Sequence, residues 1–117
     1  MSESSAPLTA AMFNVMLALS DGDKHGYAIL KDVAAQTNGE VQLSTGTLYG
    51  IVKRLLNEGM IVELRRRPAV EDDDSRRRYY HLTSFGRRIL AADVARLEEL
   101  VRAAKSHLRA PNPRRAT

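Results

Sequence analysis

Apolar residues recur at helical spacing in three stretches of the first 60 residues, and each stretch predicts a short amphipathic helix. The first stripe consists of Leu8, Met12, Val15, Met16 and Leu19. The second consists of Tyr27, Leu30, Val33 and Ala34. The third consists of Leu48, Ile51, Val52, Leu55 and Leu56. Three helices are therefore expected before any strand.

Turn and capping residues set the predicted boundaries of these helices. Residues 20–23 (SDGD) end the first helix, and the second begins near His25-Gly26. Asn38-Gly39, a pair that tolerates positive φ, ends the second helix. Ser44 or Thr45 can cap the start of the third helix by accepting a hydrogen bond from a free amide, and Gly59 closes it.

The pattern changes from helical to alternating after Gly59, which predicts a β-hairpin. Residues 61–67 and 76–82 are the two predicted strands, joined by an acidic loop at residues 68–75 (PAVEDDDS). In the second strand, Tyr80 and Leu82 lie on one face, and Tyr79 and His81 lie on the other.

A long final helix, capped by Thr83 or Ser84 and ending at about Arg109, carries a narrow apolar seam. Its members are separated by alternating intervals of four and three residues, as in a coiled coil. They are Leu90, Val94, Leu97, Val101, Ala104 and Leu108. The same helix of a second copy would bury this seam, which predicts a homodimer. The alternative is that the helix folds back on the first helix near Phe85, Ile89 and Leu90.

This order of elements predicts a mainly α fold with a small β-hairpin, namely a winged helix-turn-helix followed by a long C-terminal dimerisation helix. Residues 1–83 form the predicted DNA-binding domain, residues 84–109 form the dimerisation helix, and residues 110–117 form a disordered tail.

Positive charge is concentrated in the middle and C-terminal parts of the chain, whose 117 residues carry a net formal charge of +4. Residues 1–40 hold two lysines against five acidic residues. Residues 41–88 hold ten basic against six acidic residues, and residues 89–117 hold six against three. Such a distribution suits a polyanionic partner, such as double-stranded DNA, better than it suits a merely solubilising charge.

Two clusters are predicted to contact DNA. The polar face and start of the third helix offer hydroxyls and cations that suit base edges and phosphates. These residues are Ser44, Thr45, Thr47, Tyr49, Lys53 and Arg54. The hairpin brings two arginine triplets together as a phosphate clamp. The triplets are Arg65, Arg66, Arg67, Arg76, Arg77 and Arg78. The alternative is that the acidic residues 71–74 neutralise the triplets and the hairpin is merely a solvated surface.

Several other classes of protein are excluded. His25, His81 and His107 lack metal-ligand spacing, and no His/Asp partner can be placed beside Ser44. No catalytic residue, metal or cofactor is therefore expected. The chain has no cysteine and no apolar run near the ~20 residues of a membrane span, so we expect no disulfide and no membrane partner. The acidic N-terminus does not suit a signal peptide, and we expect a cytoplasmic, nucleoid-associated protein.

Four segments, found in one order across about residues 8–108, together resemble the PadR family of bacterial repressors. They are HGY (residues 25–27), STGTLY (44–49), KRL to EGMI (53–61) and RYYHLT to Gly86 (78–86). The resemblance implies a winged-helix dimer that represses transcription, with the single C-terminal helix of the family's shorter branch.

The resemblance also implies roles for individual residues. It implies that Thr47, Tyr49 and Lys53 contact DNA. It also implies that the turn at residues 25–27 is structural, with Tyr27 packing inward. Gly50 stands where the family is expected to have a larger residue, so a base contact at this position does not carry over to this chain. Some relatives stack flat apolar ligands between aromatic residues at the dimer cleft. That site does not carry over either, because the chain has no tryptophan.

The regulatory hypothesis is that a dimer occupies a promoter palindrome with half-sites about one turn apart. A small apolar or aromatic effector would then change the angle between the two heads by acting on the C-terminal helices. The main alternative is an adaptor, since winged helices also bind proteins. An adaptor would not lose binding as salt rises, whereas a DNA-binding protein would.

Overall fold

A computed structural model describes residues 7–64 and 78–109, which form four helices and a three-stranded antiparallel sheet. The elements are α1 (Ala10–Leu19), β1 (Lys24–His25), α2 (Gly26–Gln36), α3 (Thr45–Asn57), β2 (Ile61–Leu64), β3 (Tyr79–Leu82) and α4 (Ser84–Arg109). The predicted class, mainly helical with a small β-sheet and a long final helix, is confirmed.

The core lies where α1, α2, α3 and the sheet meet. α1 begins later than its stripe predicted, because the Thr9 hydroxyl accepts a hydrogen bond from the Met12 amide (3.1 Å) and caps the helix. Leu8 therefore precedes the helix, although it packs against the core. The core residues are Met12, Val15, Met16, Ala18, Leu19, Ile29, Val33, Leu48, Val52, Leu55, Met60, Ile61, Tyr80, Leu82 and Leu90.

The buried face of α2 differs from the predicted one. Gly26, Ile29 and Val33 are buried, whereas Tyr27 is 63% exposed, so the predicted inward packing of Tyr27 is wrong. At 100° per residue, Tyr27 lies about 160° around the helix from Ile29, and the two side chains cannot share a face. The predicted end of the helix is confirmed, since Asn38 (φ 54°) and Gly39 (φ 80°) are left-handed.

α3 follows its prediction closely. The Ser44 hydroxyl caps the helix by accepting a hydrogen bond from the Thr47 amide (3.1 Å), and Gly59 (φ 76°) follows the helix end. Three of the five stripe residues are fully buried, and Ile51 and Leu56 are partly buried against the core.

The sheet has one strand more than the predicted hairpin. Strands β2 and β3 pair from Ile61–Leu82 to Leu64–Tyr79, and β1 pairs with the other edge of β3, which gives the order β1-β3-β2. Because β1 has only two residues, it is too short to show any alternation in the sequence. Tyr80 and Leu82 are buried and His81 is exposed, as predicted. Arg78, the third residue of the second predicted strand, precedes β3. Residues 65–77, which include residues 65–67 and 76–77 of the predicted strands, lie outside the described residues.

α4 is fixed at its start and extends away from the core. The Thr83 hydroxyl lies 2.8 and 3.0 Å from the carbonyl oxygens of Gly59 and Met60, and it accepts a hydrogen bond from the Gly86 amide (2.9 Å). Leu90 is 6% exposed, whereas Leu108 is 85% exposed. The first turns of α4 thus belong to the core, and the last two turns are solvent-exposed.

Candidate nucleic-acid interface

The solvent face of α3 presents polar groups around two glycines. Its exposed positions are Thr45, Gly46, Thr47, Tyr49, Gly50, Lys53, Arg54 and Asn57. A Cβ added at Gly46 or Gly50 would meet no described atom within 4 Å, so the backbone of this face is open to a close approach. Hydroxyls, an amide and cations on one exposed helix face can hydrogen-bond base edges and phosphates.

The two hydroxyls at the start of α3 have different roles. Ser44 Oγ accepts a hydrogen bond from the Thr47 amide and donates one to Thr47 Oγ1 (3.0 Å), so the predicted DNA contact Ser44 acts as the helix cap in this structure. The Thr47 hydroxyl can still donate to an external acceptor. Thr45 is exposed one position after the cap.

The two adjacent cations of α3 also differ. Arg54 Nε lies 3.1 Å from Glu58 Oε2, in an exposed ion pair one helical turn apart. Lys53 is exposed and forms no ion pair within residues 7–64 and 78–109. Exposed ion pairs contribute little stability, so DNA could displace Glu58 from Arg54, but Lys53 needs no such exchange.

Tyr49 lies against the first turn of α2. A Cβ built on Gly26 would lie 2.3 Å from the Tyr49 hydroxyl oxygen and 3.0 Å from its Cζ, and Tyr49 is 45% exposed. The HGY and TLY segments are therefore in contact. Sequence reasoning missed this contact because no periodicity links residues 23 positions apart.

The sheet brings charged and phenolic groups behind α3. Arg78 Nε lies 3.5 Å from Glu63 Oε2, across the β2–β3 pair. Burial raises the pKa of the Tyr80 hydroxyl above its ordinary value, and the neighbouring Tyr49 phenol and Glu63 carboxylate raise it further. Of the predicted arginine clamp, the structure describes Arg78 alone. Arg65, Arg66, Arg67, Arg76 and Arg77 lie outside the described residues, as do the acidic residues 71–74.

A partly buried lysine connects β1 to the elements around it. Lys24 Nζ contacts the Asp21 carboxylate, the Asp32 carboxylate (3.2 Å) and the Ala18 carbonyl. Burial by itself would lower the pKa of Lys24, but hydrogen bonds to Asp21 and Asp32 outweigh it and raise that pKa above its ordinary value. This cluster fixes the turn that precedes α2.

The histidines form local structural contacts. His25 Nδ1 accepts a hydrogen bond from the Ala28 amide (3.3 Å) and caps α2, while its ring packs edge-on against Tyr79. His81 Nδ1 lies 2.7 Å from Asp23 Oδ1. Within the described part of the chain, no three His, Asp or Glu side chains are grouped to hold a metal ion, and no helix is long and apolar enough to cross a membrane.

An open apolar groove of about 530 Å³ lies between α1 and the middle of α4. It is lined by Phe13, Val94, Leu97, Glu98, Val101, Arg102 and Lys105. Three members of the predicted dimerisation seam thus line this groove. Of the other three, Leu90 lies in the core, and Ala104 and Leu108 are exposed.

Solved structures with this fold include several bacterial regulators. A PadR-like transcriptional regulator from Bacillus cereus superposes with a TM-score of 0.72 at 18% identity, covering 86% of this chain and 93% of that one. A PadR family regulator from Clostridium difficile gives 0.69 at 23% identity, covering 86% and 99%. BpsR from Bordetella bronchiseptica, whose DNA binding is regulated by 6-hydroxynicotinic acid, gives 0.64 at 24% identity, covering 97% and 73%.

At these identities the likeness demonstrates a shared winged-helix fold. No curated protein sequence matches the chain significantly. The model of the PadR-like family of transcriptional regulators matches residues 15–92, which is more than half of the chain and includes α2, α3, the sheet and the start of α4. The chain therefore belongs to the PadR-like family of transcriptional regulators.

Proposed function

We propose that this protein is a cytoplasmic, nucleoid-associated repressor that binds a palindromic promoter operator as a homodimer, with α3 in the major groove. The observation that carries the proposal is the exposed face of α3, where Thr47, Tyr49 and Lys53 surround two glycines with open space above them. A helix with such a face can approach base edges closely. Arg78 and the arginines at residues 65–67 and 76–77 would contact the flanking phosphates.

The homodimer is proposed from α4. From Val94 onwards the seam residues are exposed or half-buried, and they form a narrow stripe that a second α4 would bury. Two α3 helices related by a two-fold axis would then match the symmetry of a palindrome.

Regulation by a small apolar or aromatic effector is proposed from the groove between α1 and α4. It shares Val94, Leu97 and Val101 with the dimerisation seam, so a ligand there would contact the same residues that set the geometry of the dimer. The ligand-regulated DNA binding of BpsR supports this part of the proposal. An effector must bind the DNA-competent and the released dimers with different affinities.

Selection from a pool of random duplexes tests the proposal directly. The full chain should enrich an inverted repeat whose half-sites are about one helical turn apart, and a reporter behind that repeat should be repressed. Enrichment of no sequence would contradict an operator-binding function and leave the adaptor hypothesis. Enrichment of a single half-site would contradict the homodimer.

A further inference from the structure

A glycine is needed at position 26 because neighbouring atoms leave no room for a side chain, and not because of its backbone conformation. The described glycines with positive φ are Gly22, Gly39 and Gly59, so the backbone of Gly26 is one that alanine can adopt. A Cβ at Gly26 would nevertheless lie 2.3 Å from the Tyr49 hydroxyl oxygen. Even a methyl group is therefore incompatible with the observed position of the Tyr49 ring.

The Tyr49 ring lies on Gly26 at the first turn of α2, although Tyr49 belongs to the exposed face of α3. The Tyr49 phenol is also one of the groups that raise the pKa of the buried Tyr80 hydroxyl. Nearly half of Tyr49 remains exposed. An aromatic side chain fixed before binding loses little conformational entropy when a ligand contacts it.

We propose that Gly26 is a positioning residue for DNA binding, because it lets the Tyr49 phenol lie on the first turn of α2 in the orientation that the operator contacts. This inference rests on the proposed function. It assigns to the HGY segment a role in shaping the DNA-binding face, whereas the sequence indicated only a structural turn.

Gly26→Ala in the full chain isolates this role. Alanine is a better helix former than glycine, so the substitution favours α2. The atom it would meet is the far end of a flexible side chain, and the next contact, Leu48 Cδ2 at 3.5 Å, is an ordinary one. The fold should therefore persist while the Tyr49 ring is displaced. We expect the affinity for the selected operator to fall about tenfold, as for the loss of one good DNA contact.

A double-mutant cycle assigns the effect to Tyr49. Tyr49→Ala should weaken operator binding to a similar extent, and Gly26→Ala should then cause no further loss in the Tyr49→Ala background. Ala35→Ser, at an exposed position of the same helix, is the matched control and should bind normally. Additive losses in the cycle, or unchanged operator affinity of folded Gly26→Ala, would overturn the inference.

Melting temperatures keep the test decisive if Gly26→Ala proves unstable. Because the steric conflict is with the Tyr49 ring, Tyr49→Ala should then restore the stability of Gly26→Ala, and failure to restore it would overturn the inference. The experiment also distinguishes failure of the proposed function from failure of the role proposed for Gly26. A wild-type protein without operator preference contradicts the proposed function, whereas operator preference that Gly26→Ala leaves intact contradicts only the role of Gly26.

Discussion

Lys53 and Arg54 are neighbours in sequence, but their surroundings differ. The Arg54 guanidinium is paired with Glu58 one turn further along α3, whereas Lys53 has no ion-pair partner among the residues described. The sequence placed both on the polar face of α3 and could not distinguish them. We therefore propose that Lys53, before Arg54, contacts a phosphate.

Lys53→Gln should weaken binding to all duplexes by a similar factor, because a phosphate contact carries no sequence information. We expect a loss of about fivefold and a decrease of about 1 in the slope of log affinity against log salt. Fluorescence anisotropy at several salt concentrations measures both. Lys31→Gln, on α2, is the control for loss of one positive charge, and an equal effect of the two variants would contradict a specific contact by Lys53.

The buried Tyr80 hydroxyl should make the free energy of unfolding depend on pH. Burial raises the pKa of its hydroxyl in the folded state, so the unfolded chain loses this proton first as pH rises. The stabilisation is present below about pH 10, the ordinary pKa of tyrosine, and is lost above it. The free energy of unfolding of Tyr80→Phe should therefore fall less steeply than that of wild type as the pH rises above about 10.

Urea titrations across this range measure that difference. The raised pKa of Lys24 contributes an alkaline loss of the same sign in both proteins, so the difference between them reports Tyr80. Tyr27→Phe, which alters an exposed ring, is the control. Parallel pH profiles for wild type and Tyr80→Phe would contradict the effect of burial on Tyr80.

At the scale of elements, the start of α4 packs closely against the backbone of Met60. A Cβ at Gly86 would lie 2.1 Å from the Met60 carbonyl oxygen, which is a backbone atom and cannot swing aside. Gly86→Ala should therefore lower the free energy of unfolding by about 2 kcal/mol, despite the better helix propensity of alanine.

Gly46→Ala is the matched control for this prediction. It is also a glycine-to-alanine change within a helix, but its Cβ would meet nothing within 4 Å. It should raise the free energy of unfolding by up to about 1 kcal/mol. Urea unfolding measures the free energy of unfolding of both variants. Equal changes would show that the contact between Gly86 and the Met60 carbonyl leaves room for a side chain.

The exposed apolar seam of α4 is expected to hold two chains together as a dimer. Val101→Glu would place a carboxylate in the proposed seam, and burial of an unpaired charge should raise the dimer dissociation constant about 100-fold or more. Ser106→Glu adds the same carboxylate on the opposite side of the helix and should leave the dimer intact. Sedimentation velocity distinguishes the two, and identical behaviour of both variants would contradict the seam.

Elements with strong periodicity were predictable from the sequence, and those fixed by tertiary contacts were not. The stripe of α3, its cap at Ser44 and the span of α4 all agree with the structure. The strand β1 was missed because two residues carry no pattern, and Tyr27 was misplaced because the stripe omitted Ile29, the centre of the buried face. The Gly26–Tyr49 contact joins distant segments, so local spacing could not reveal it.

At the scale of the whole molecule, the chain combines a compact winged-helix core with an α4 whose C-terminal half lies outside that core. The sequence indicated both parts, since the first depends on short amphipathic helices and the second on a narrow seam. In the proposed dimer, α4 sets the spacing of two α3 helices, and the groove beside α4 gives an effector access to that spacing.

Salt-dependent anisotropy with the selected operator and a scrambled duplex of equal length tests sequence-specific DNA binding most directly. We expect saturable binding with a steep negative salt slope, a stoichiometry of two chains per palindrome, and operator binding at least about 1000-fold tighter than binding to the scrambled duplex. Equal and weak binding to both duplexes would contradict sequence-specific DNA binding, because a basic surface without base recognition would bind in the same way.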